Sequence, residues 1–255
     1  RVSTHSPMGF RQVHLDFHTS EHIAGIGSRF HADDFASTLA DAAVDSVTCF
    51  ARCHHGYLYY PSKLNPERIH PHLETPDLLP QQIEACHKRG IRVPIYITVQ
   101  WDLFTAQEHP EWLCLAPDTT AVGSRGVFGA GFYETLDVFH PGYRAFLAEH
   151  TREVLQTLDV DGIFFDICGP APSCAPHWIR AMDDAGLDPE NDEQRREFAK
   201  KVMNEWMGEM TAMIRAINAE CTIFYNSGHV GPRHRPSTDA FTHYELESLP
   251  SGGWG

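Results

Sequence analysis

Short apolar segments typical of β-strands alternate with amphipathic segments typical of α-helices along most of the chain. The strand segments show either a two-residue alternation or the continuous apolar character of strands in a parallel sheet. The helical segments carry apolar residues at three- and four-residue steps. The pattern predicts strands over residues 13–18, 46–51, 92–99, 162–167, 222–227 and 240–248. It predicts helices over residues 33–42, 78–89, 143–158 and 193–219.

Repeated strand-helix units, with polar residues gathered where the strands end, are typical of the (β/α)8 barrel, also called the TIM barrel. We therefore predict an α/β fold in which a TIM barrel is truncated after about six strands, as a single domain over residues 1–255. No linker rich in proline, glycine and serine divides the chain. An open dinucleotide-binding sheet is the alternative, but no GxGxxG motif follows the first strand.

The balance of charges indicates which classes of binding partner to expect. The chain has 20 Lys and Arg residues against 34 Asp and Glu residues, a formal net charge of −14. This charge argues against a nucleic-acid partner, and the lack of an apolar run of about 20 residues argues against a membrane partner. The seven cysteines form no CxxC pair, and no secretory signal is recognisable. We therefore expect a cytoplasmic protein without a disulfide framework, metal or cofactor.

The fourth predicted strand ends in a carboxylate. Phe164 and Asp166 lie on one side of it, so an ionisable group closes an otherwise apolar segment. In a barrel, catalytic residues lie at this end of the strands. The alternative is that Asp166 caps the next turn. The position at the end of an apolar strand favours a functional role.

The sixth predicted strand places His243, Glu245 and Glu247 on one face. A solvent-exposed face of an edge strand is the alternative. Carboxylates on different strands of one barrel suit glycoside hydrolysis, in which one carboxylate attacks the anomeric carbon and another protonates the leaving oxygen. Asp166, Glu245 and Glu247 are therefore the candidate catalytic residues.

Histidine, aspartate and aromatic side chains near other strand ends predict a sugar-binding pocket, because they bind hydroxyl groups and stack on apolar sugar faces. A single aromatic residue in this set is more often part of the core, so only the cluster carries weight. A metal site built from His70, His72 and the histidine pair is a weaker alternative, since no zinc-type spacing or HExxH motif occurs. The candidate substrate-binding residues are Asp16, His18, His54, His55, Tyr57, Trp101, Asn226 and His243.

Three segments resemble the α-L-fucosidase type of glycoside hydrolase, families 29 and 151, and the related hypothetical glycosyl hydrolases. FARCHHGYLYYPSK (50–63) is similar to a segment with a His-His pair, and the resemblance implies that His54 and His55 bind sugar hydroxyls. IYITVQWD (95–102) is similar to a strand that ends in Glu-Trp. Trp101 matches that tryptophan, and Gln100 stands in place of the glutamate.

The third segment, DGIFFDIC (161–168), resembles the strand whose aspartate is the nucleophile, which implies this role for Asp166. Ile167 replaces the glycine that usually follows. HPEW (109–112) and YELESLPSGGWG (244–255) also resemble the family 151 type. The resemblance implies an acid/base glutamate from the late strands, either Glu245 or Glu247, and a homo-oligomer in relatives that carry a further trimerising domain.

Together these observations predict a retaining, exo-acting glycosidase, with α-L-fucose favoured by the resemblance alone. Another exo-glycosidase, such as a β-galactosidase-like enzyme, is one alternative. A non-catalytic carbohydrate-binding barrel is another. The third is a metal-dependent hydrolase that uses Asp16, His18 and the histidine pair.

Overall fold

The main sheet has five parallel strands that are adjacent in the order in which they occur in the chain. A computed structural model describes residues 9–124, 133–228 and 231–245. The five strands are β1 (Gln12–His14), β2 (Ser46–Arg52), β3 (Pro94–Thr98), β6 (Gly162–Asp166) and β7 (Thr222–Tyr225). A separate antiparallel pair is formed by β4 (Gly123–Ser124) and β5 (Tyr133–Glu134). Parallel strands joined in sequential order by helices form a curled half-barrel.

Helices connect the strands of the main sheet. The longest begins after Asn191, whose side chain accepts hydrogen bonds from the backbone N–H groups of Glu193 and Gln194. No helix among the described ranges is long and apolar enough to cross a membrane. The α-helices are α1 (Ala32–Asp41), α2 (Leu78–His87), α3 (Leu103–Glu108), α4 (Pro141–Thr157), α5 (Pro176–Asp184) and α6 (Asp192–Ile217). Short 3₁₀ helices are formed by Pro66–Arg68, Pro110–Trp112 and Pro232–Ala240.

Most of the predicted strands and helices are confirmed to within a few residues. They correspond to β2, β3, β6, β7, α1, α2, α4 and α6. The first strand is shorter than predicted, since regular pairing with β2 ends at His14. Helices α3 and α5 lie in segments that the pattern left as loops. The α/β class is thus confirmed, with five parallel strands described in the main sheet.

The predicted strand over residues 240–248 is wrong over its described part. Ala240 ends a 3₁₀ helix, and residues 241–245 are not a strand. Thr242 backbone N donates to Ile223 O at 3.0 Å, but Ile223 N donates to the Thr242 side-chain Oγ1 at 2.7 Å. The hydroxyl therefore takes the bond that a backbone carbonyl would accept in a ladder. Residues 246–248 lie outside the described residues.

Aromatic rings fill the concave side of the sheet. The register pairs Phe50 with Tyr96, Tyr96 with Phe164, and Phe164 with Phe224. The rings of Phe50 and Tyr96 stack with centroids 3.9 Å apart, and His14 contacts Phe164 edge to face at 4.9 Å. We call these five residues, His14, Phe50, Tyr96, Phe164 and Phe224, the aromatic floor. His14 is exposed, and the other four rings are buried. Each buried ring contributes about 1.5–3 kcal/mol by leaving water, so the floor stabilises the strands whose next side chains form the site.

Candidate active site

A buried carboxylate stands at the carboxyl end of β6, directly above the aromatic floor. Asp166 is 8% exposed. Its Oδ2 accepts a hydrogen bond from Tyr96 Oη at 2.5 Å. Its Oδ1 accepts from Asn226 Nδ2 at 2.8 Å and from the Ile167 backbone N at 2.9 Å. Three donors, from β3, from the residue after β7 and from the backbone directly after Asp166, therefore stabilise the carboxylate and fix its orientation.

His54 lies beside this carboxylate in the loop after β2. Its Nε2 is 3.6 Å from Asp166 Oδ2 and 3.5 Å from Tyr96 Oη. Its Nδ1 is 2.8 Å from Thr98 Oγ1. Burial, followed by the positive charge of the neighbouring His18, lowers the pKa of His54 to about 3. The ring is therefore a neutral polar neighbour of Asp166 at physiological pH, not its counter-ion.

His18 covers the other face of the His54 ring. The two imidazoles stack with centroids 4.0 Å apart and planes inclined by 11°. His18 Nδ1 accepts from the His54 backbone N at 3.1 Å, and its Nε2 lies 3.4 Å from Asp16 Oδ1. Burial would lower the pKa of His18, but hydrogen bonds to Asp16 and Cys53 outweigh it and raise the pKa to about 9. The bond from the His54 backbone opposes this rise, because a doubly protonated ring has no lone pair on Nδ1.

The segment after β3 forms a second wall of the site. Trp101 meets the His54 ring edge to face at a centroid distance of 5.3 Å. Gln100 is 3% exposed, and its Oε1 accepts from the Gly169 backbone N at 2.8 Å. Gln100 therefore holds the loop that follows β6 through its side-chain oxygen.

His243 and Glu245 contact each other, although the strand predicted to hold them on one face is absent from residues 241–245. His243 Nε2 is 2.7 Å from Glu245 Oε1, and the His243 ring stacks on Phe224 at 5.6 Å. Phe224 belongs to the aromatic floor and precedes Asn226 by two residues. Glu245 therefore lies on the β7 side of the half-barrel, with a side chain that is 33% exposed. Glu247 lies outside the described residues.

His55 and Tyr57 contact a different set of side chains. The Tyr57 ring packs 5.1 Å from the His70 ring and 5.9 Å from the Phe104 ring. The His55 carbonyl accepts from the Phe104 backbone N at 3.2 Å, and burial lowers the pKa of the His55 ring. The roles of these two residues in sugar binding stay predictions.

The histidines considered for a metal site are held by backbone groups. His70 Nε2 is 3.0 Å from Ser20 O, and His70 Nδ1 accepts from the His72 backbone N at 3.1 Å. Within the part of the chain that the structure describes, no group of three or more His, Cys, Asp or Glu side chains is arranged to hold a metal ion.

A family model described as hypothetical glycosyl hydrolase 6 matches residues 31–167, more than half of the chain. The chain belongs to this glycosyl hydrolase family. The matched region includes His54, Trp101 and Asp166. The predicted resemblance to glycosyl hydrolases of this type is therefore confirmed. No curated protein matches the chain at a significant level.

Solved structures of glycosidases share the fold of this glycosyl hydrolase family member. The α-L-fucosidase isoenzyme 2 from Paenibacillus thiaminolyticus is 39% identical, with a TM-score of 0.88 over 97% of this chain and 37% of its own. The present chain thus spans little more than a third of that relative. An exo-β-N-acetylglucosaminidase from Vibrio harveyi is 13% identical, with a TM-score of 0.60, over 88% of this chain and 36% of its own. An α-galactosidase from Lactobacillus brevis, 13% identical over 82% of this chain and 26% of its own, has a TM-score of 0.53.

Two residues that were not among the predicted site residues lie against the candidate site. Tyr96 binds Asp166, and Thr98 binds His54. Both lie on the concave face of β3, opposite Phe164 and Asp166 in register. The two-residue alternation of the IYIT segment was the available signal, since it puts Tyr96 and Thr98 on one face.

The backbone is strained directly after the Asp166 carboxylate. Ile167 has a φ of 59°, in the left-handed region that β-branched residues avoid. An alanine there keeps the backbone penalty of about 1–2 kcal/mol, whereas a glycine removes it. We therefore expect Ile167→Gly to be more stable than Ile167→Ala by about 1 kcal/mol, the reverse of the order at ordinary positions. Urea unfolding of the two variants measures the difference, and an alanine variant at least as stable as the glycine variant would contradict the strain.

Proposed function

We propose that this family member is a retaining, exo-acting, α-L-fucosidase-like glycoside hydrolase, with Asp166 as the nucleophile and Glu245 as the acid/base. The observation that carries the proposal is the Asp166 carboxylate, held at a strand end by Tyr96, Asn226 and the Ile167 N–H. Glu247 is the competing acid/base. We propose that the five parallel strands are part of a (β/α)8 barrel, in which active sites occupy this edge of the sheet.

The proposed reaction has two steps. In the first, a carboxylate oxygen of Asp166 attacks the anomeric carbon, the glycosidic C–O bond breaks, and the leaving oxygen takes the proton of the Glu245 carboxyl group. In the second, the Glu245 carboxylate takes a proton from water, and the water oxygen displaces Asp166 from the anomeric carbon. His243, 2.7 Å from Glu245, orients that side chain.

The residues around Asp166 suit a sugar ring. His54 Nε2 faces the Asp166 side of the site and can bind a hydroxyl group, and Trp101 offers an aromatic surface to an apolar sugar face. The choice of α-L-fucose is supported by the likeness to the Paenibacillus α-L-fucosidase. These contacts fit a carbohydrate as the substrate class.

Aryl glycosides test the proposal in the natural full-length polypeptide. We expect release from the α-L-fucoside and none from the β-D-galactoside or from the α- and β-D-glucosides. Because two inversions restore the starting configuration, proton NMR should show α-L-fucose as the first sugar released.

Other outcomes identify the error. Release of β-L-fucose first would replace the retaining mechanism by an inverting one. Cleavage of another glycoside would overturn the choice of sugar while keeping the carboxylate mechanism. Sugar binding without turnover would favour a carbohydrate-binding barrel, and activity that disappears on chelation would favour a metal-dependent hydrolase.

A further inference from the structure

The hydroxyl group of Thr98 lies between two groups that compete for its hydrogen bonds. Thr98 is fully buried, on β3 opposite Asp166. Its Oγ1 is 2.5 Å from the Trp101 carbonyl oxygen and 2.8 Å from His54 Nδ1. A hydroxyl has one proton to donate, and a carbonyl oxygen can only accept. The Thr98 proton therefore goes to Trp101 O, and Oγ1 accepts the proton of His54 Nδ1.

This assignment fixes the tautomer of a neutral imidazole. His54 carries one ring proton at physiological pH, because burial lowers its pKa to about 3. With that proton on Nδ1, the other nitrogen, Nε2, is a hydrogen-bond acceptor. The opposite tautomer would need the Thr98 proton for Nδ1 and would deprive the Trp101 carbonyl of its bond to Thr98. The His54 ring also hydrogen-bonds to the Trp101 backbone, which again requires His54 to be the donor.

The acceptor Nε2 faces the candidate nucleophile. It lies 3.6 Å from Asp166 Oδ2 and 3.5 Å from Tyr96 Oη. Tyr96 donates its proton to Asp166 at 2.5 Å, and burial, together with the Asp166 charge, raises the pKa of Tyr96 well above its usual range. An N–H at Nε2 would instead direct its positive end at the Asp166 carboxylate and weaken it as a nucleophile. A lone pair at Nε2 leaves the carboxylate to attack and accepts a substrate hydroxyl.

We propose that Thr98 is a positioning residue that holds His54 in the Nδ1-protonated tautomer, so that Nε2 faces Asp166 as an acceptor. The tautomer itself is independent of any activity. Its effect on catalysis rests on the proposed function. Asp16 and His18 support the same arrangement from the opposite face, because His18 stacks on the His54 ring and Asp16 lies 3.4 Å from His18 Nε2.

Nitrogen NMR of the protein labelled with ¹⁵N-histidine tests the tautomer directly. The His54 signals are identified by their disappearance in His54→Gln. In the wild type we expect a protonated Nδ1 and an unprotonated Nε2 at neutral pH. An Nε2–H signal for His54 in the wild type would overturn the proposal without any variant of Thr98.

Thr98→Val removes the hydroxyl at nearly constant shape, and Thr98→Ser is the matched control that keeps it. We expect the valine variant to move the His54 proton toward Nε2 and to lower kcat about tenfold, the equivalent of one hydrogen bond. The serine variant should keep the wild-type tautomer and most of kcat. Thermal melting shows whether each variant folds.

The two proposals fail in different ways. If Thr98→Val keeps the Nδ1-protonated tautomer, the Trp101 carbonyl is sufficient and the role of Thr98 is refuted, whatever the activity. If the wild type cleaves no glycoside but His54 changes tautomer in Thr98→Val, the positioning role stands and the proposed function fails.

Discussion

Asp166→Asn should lower kcat/KM for the cleaved aryl glycoside by at least about 10³-fold, because an amide cannot form the glycosyl-enzyme ester. The substitution is nearly isosteric. The amide oxygen can still accept from Asn226 Nδ2 and the Ile167 N–H, which now bind Asp166 Oδ1. The amide nitrogen then faces Tyr96, whose oxygen can accept a hydrogen bond as well as donate one. Loss of activity with an unchanged melting temperature therefore reports on chemistry and not on folding.

Two further variants serve as comparisons for the loss of activity expected in Asp166→Asn. Asp184→Asn removes an exposed carboxylate at the end of α5 and should leave the rate unchanged. Tyr96→Phe keeps the carboxylate and removes one donor to it, so we expect a smaller loss of 10- to 100-fold. If Asp166→Asn retains more than a tenth of the wild-type kcat/KM, Asp166 is not the nucleophile.

The positions of the candidate site residues were predictable where they end or follow an apolar strand. Asp166 closes β6, and Asn226 follows β7, so the strand pattern alone assigned both to one edge of the sheet. His54 follows β2 in the same way. Parallel strands bring their carboxyl ends together, and this simple rule accounts for the contact between Asp166 and Asn226, residues that lie far apart in the chain.

The side chains that contact Asp166 and His54 depend on the register of the strands, which the sequence does not determine. Tyr96 contacts Asp166 because β3 pairs with β6 with Thr98 opposite Asp166. A shift by one residue would have turned Tyr96 to the outer face. The segment with His243 and Glu245 was predicted as a strand, and this prediction is wrong over the described residues. Its alternation resembles a strand, but the side-chain hydroxyl of Thr242, not a backbone carbonyl, accepts the hydrogen bond from the Ile223 backbone N.

A buried charge cluster lies beneath the loop that carries His54. Asp102 is fully buried, and its Oδ2 is 3.5 Å from both Arg52 Nε and Arg68 Nη1. Both guanidinium groups also lie over the ring of Phe146, at 4.9 and 4.5 Å. Arg52 Nε and Nη1 have no hydrogen-bond partner among the described residues. The Asp102 charge is therefore the contact that offsets two positive charges removed from water.

The cluster also supports the site through the backbone. Arg52 Nη2 donates to the Thr98 carbonyl at 2.5 Å, and the His54 carbonyl accepts from the Leu103 N–H at 2.9 Å. Gly56, with a φ of 88°, passes so close to Asp102 that a Cβ there would collide with the carboxylate. The loop with His54 and the strand with Thr98 thus both rest on the Asp102 cluster.

Asp102→Asn should lower the free energy of unfolding by about 3–5 kcal/mol, because it leaves two buried guanidinium groups without a counter-charge. For a chain of this size, that corresponds to a fall in Tm of about 10 °C. Asp102 Oδ1 caps α3 by accepting from the Thr105 N–H, and the asparagine oxygen can keep this bond. The loss of stability therefore measures the missing charge and not a missing helix cap.

The matched control for Asp102→Asn is Glu84→Gln, which breaks the exposed ion pair with Lys88 and should cost less than about 0.5 kcal/mol. The double variant Asp102→Asn with Arg52→Met should recover part of the loss, since it also removes one of the buried positive charges. Urea unfolding measures the change in the free energy of unfolding for each of these variants. A cost for Asp102→Asn no larger than that for Glu84→Gln would mean that Arg52 and Arg68 do not depend on Asp102, and that the loop with His54 has another support.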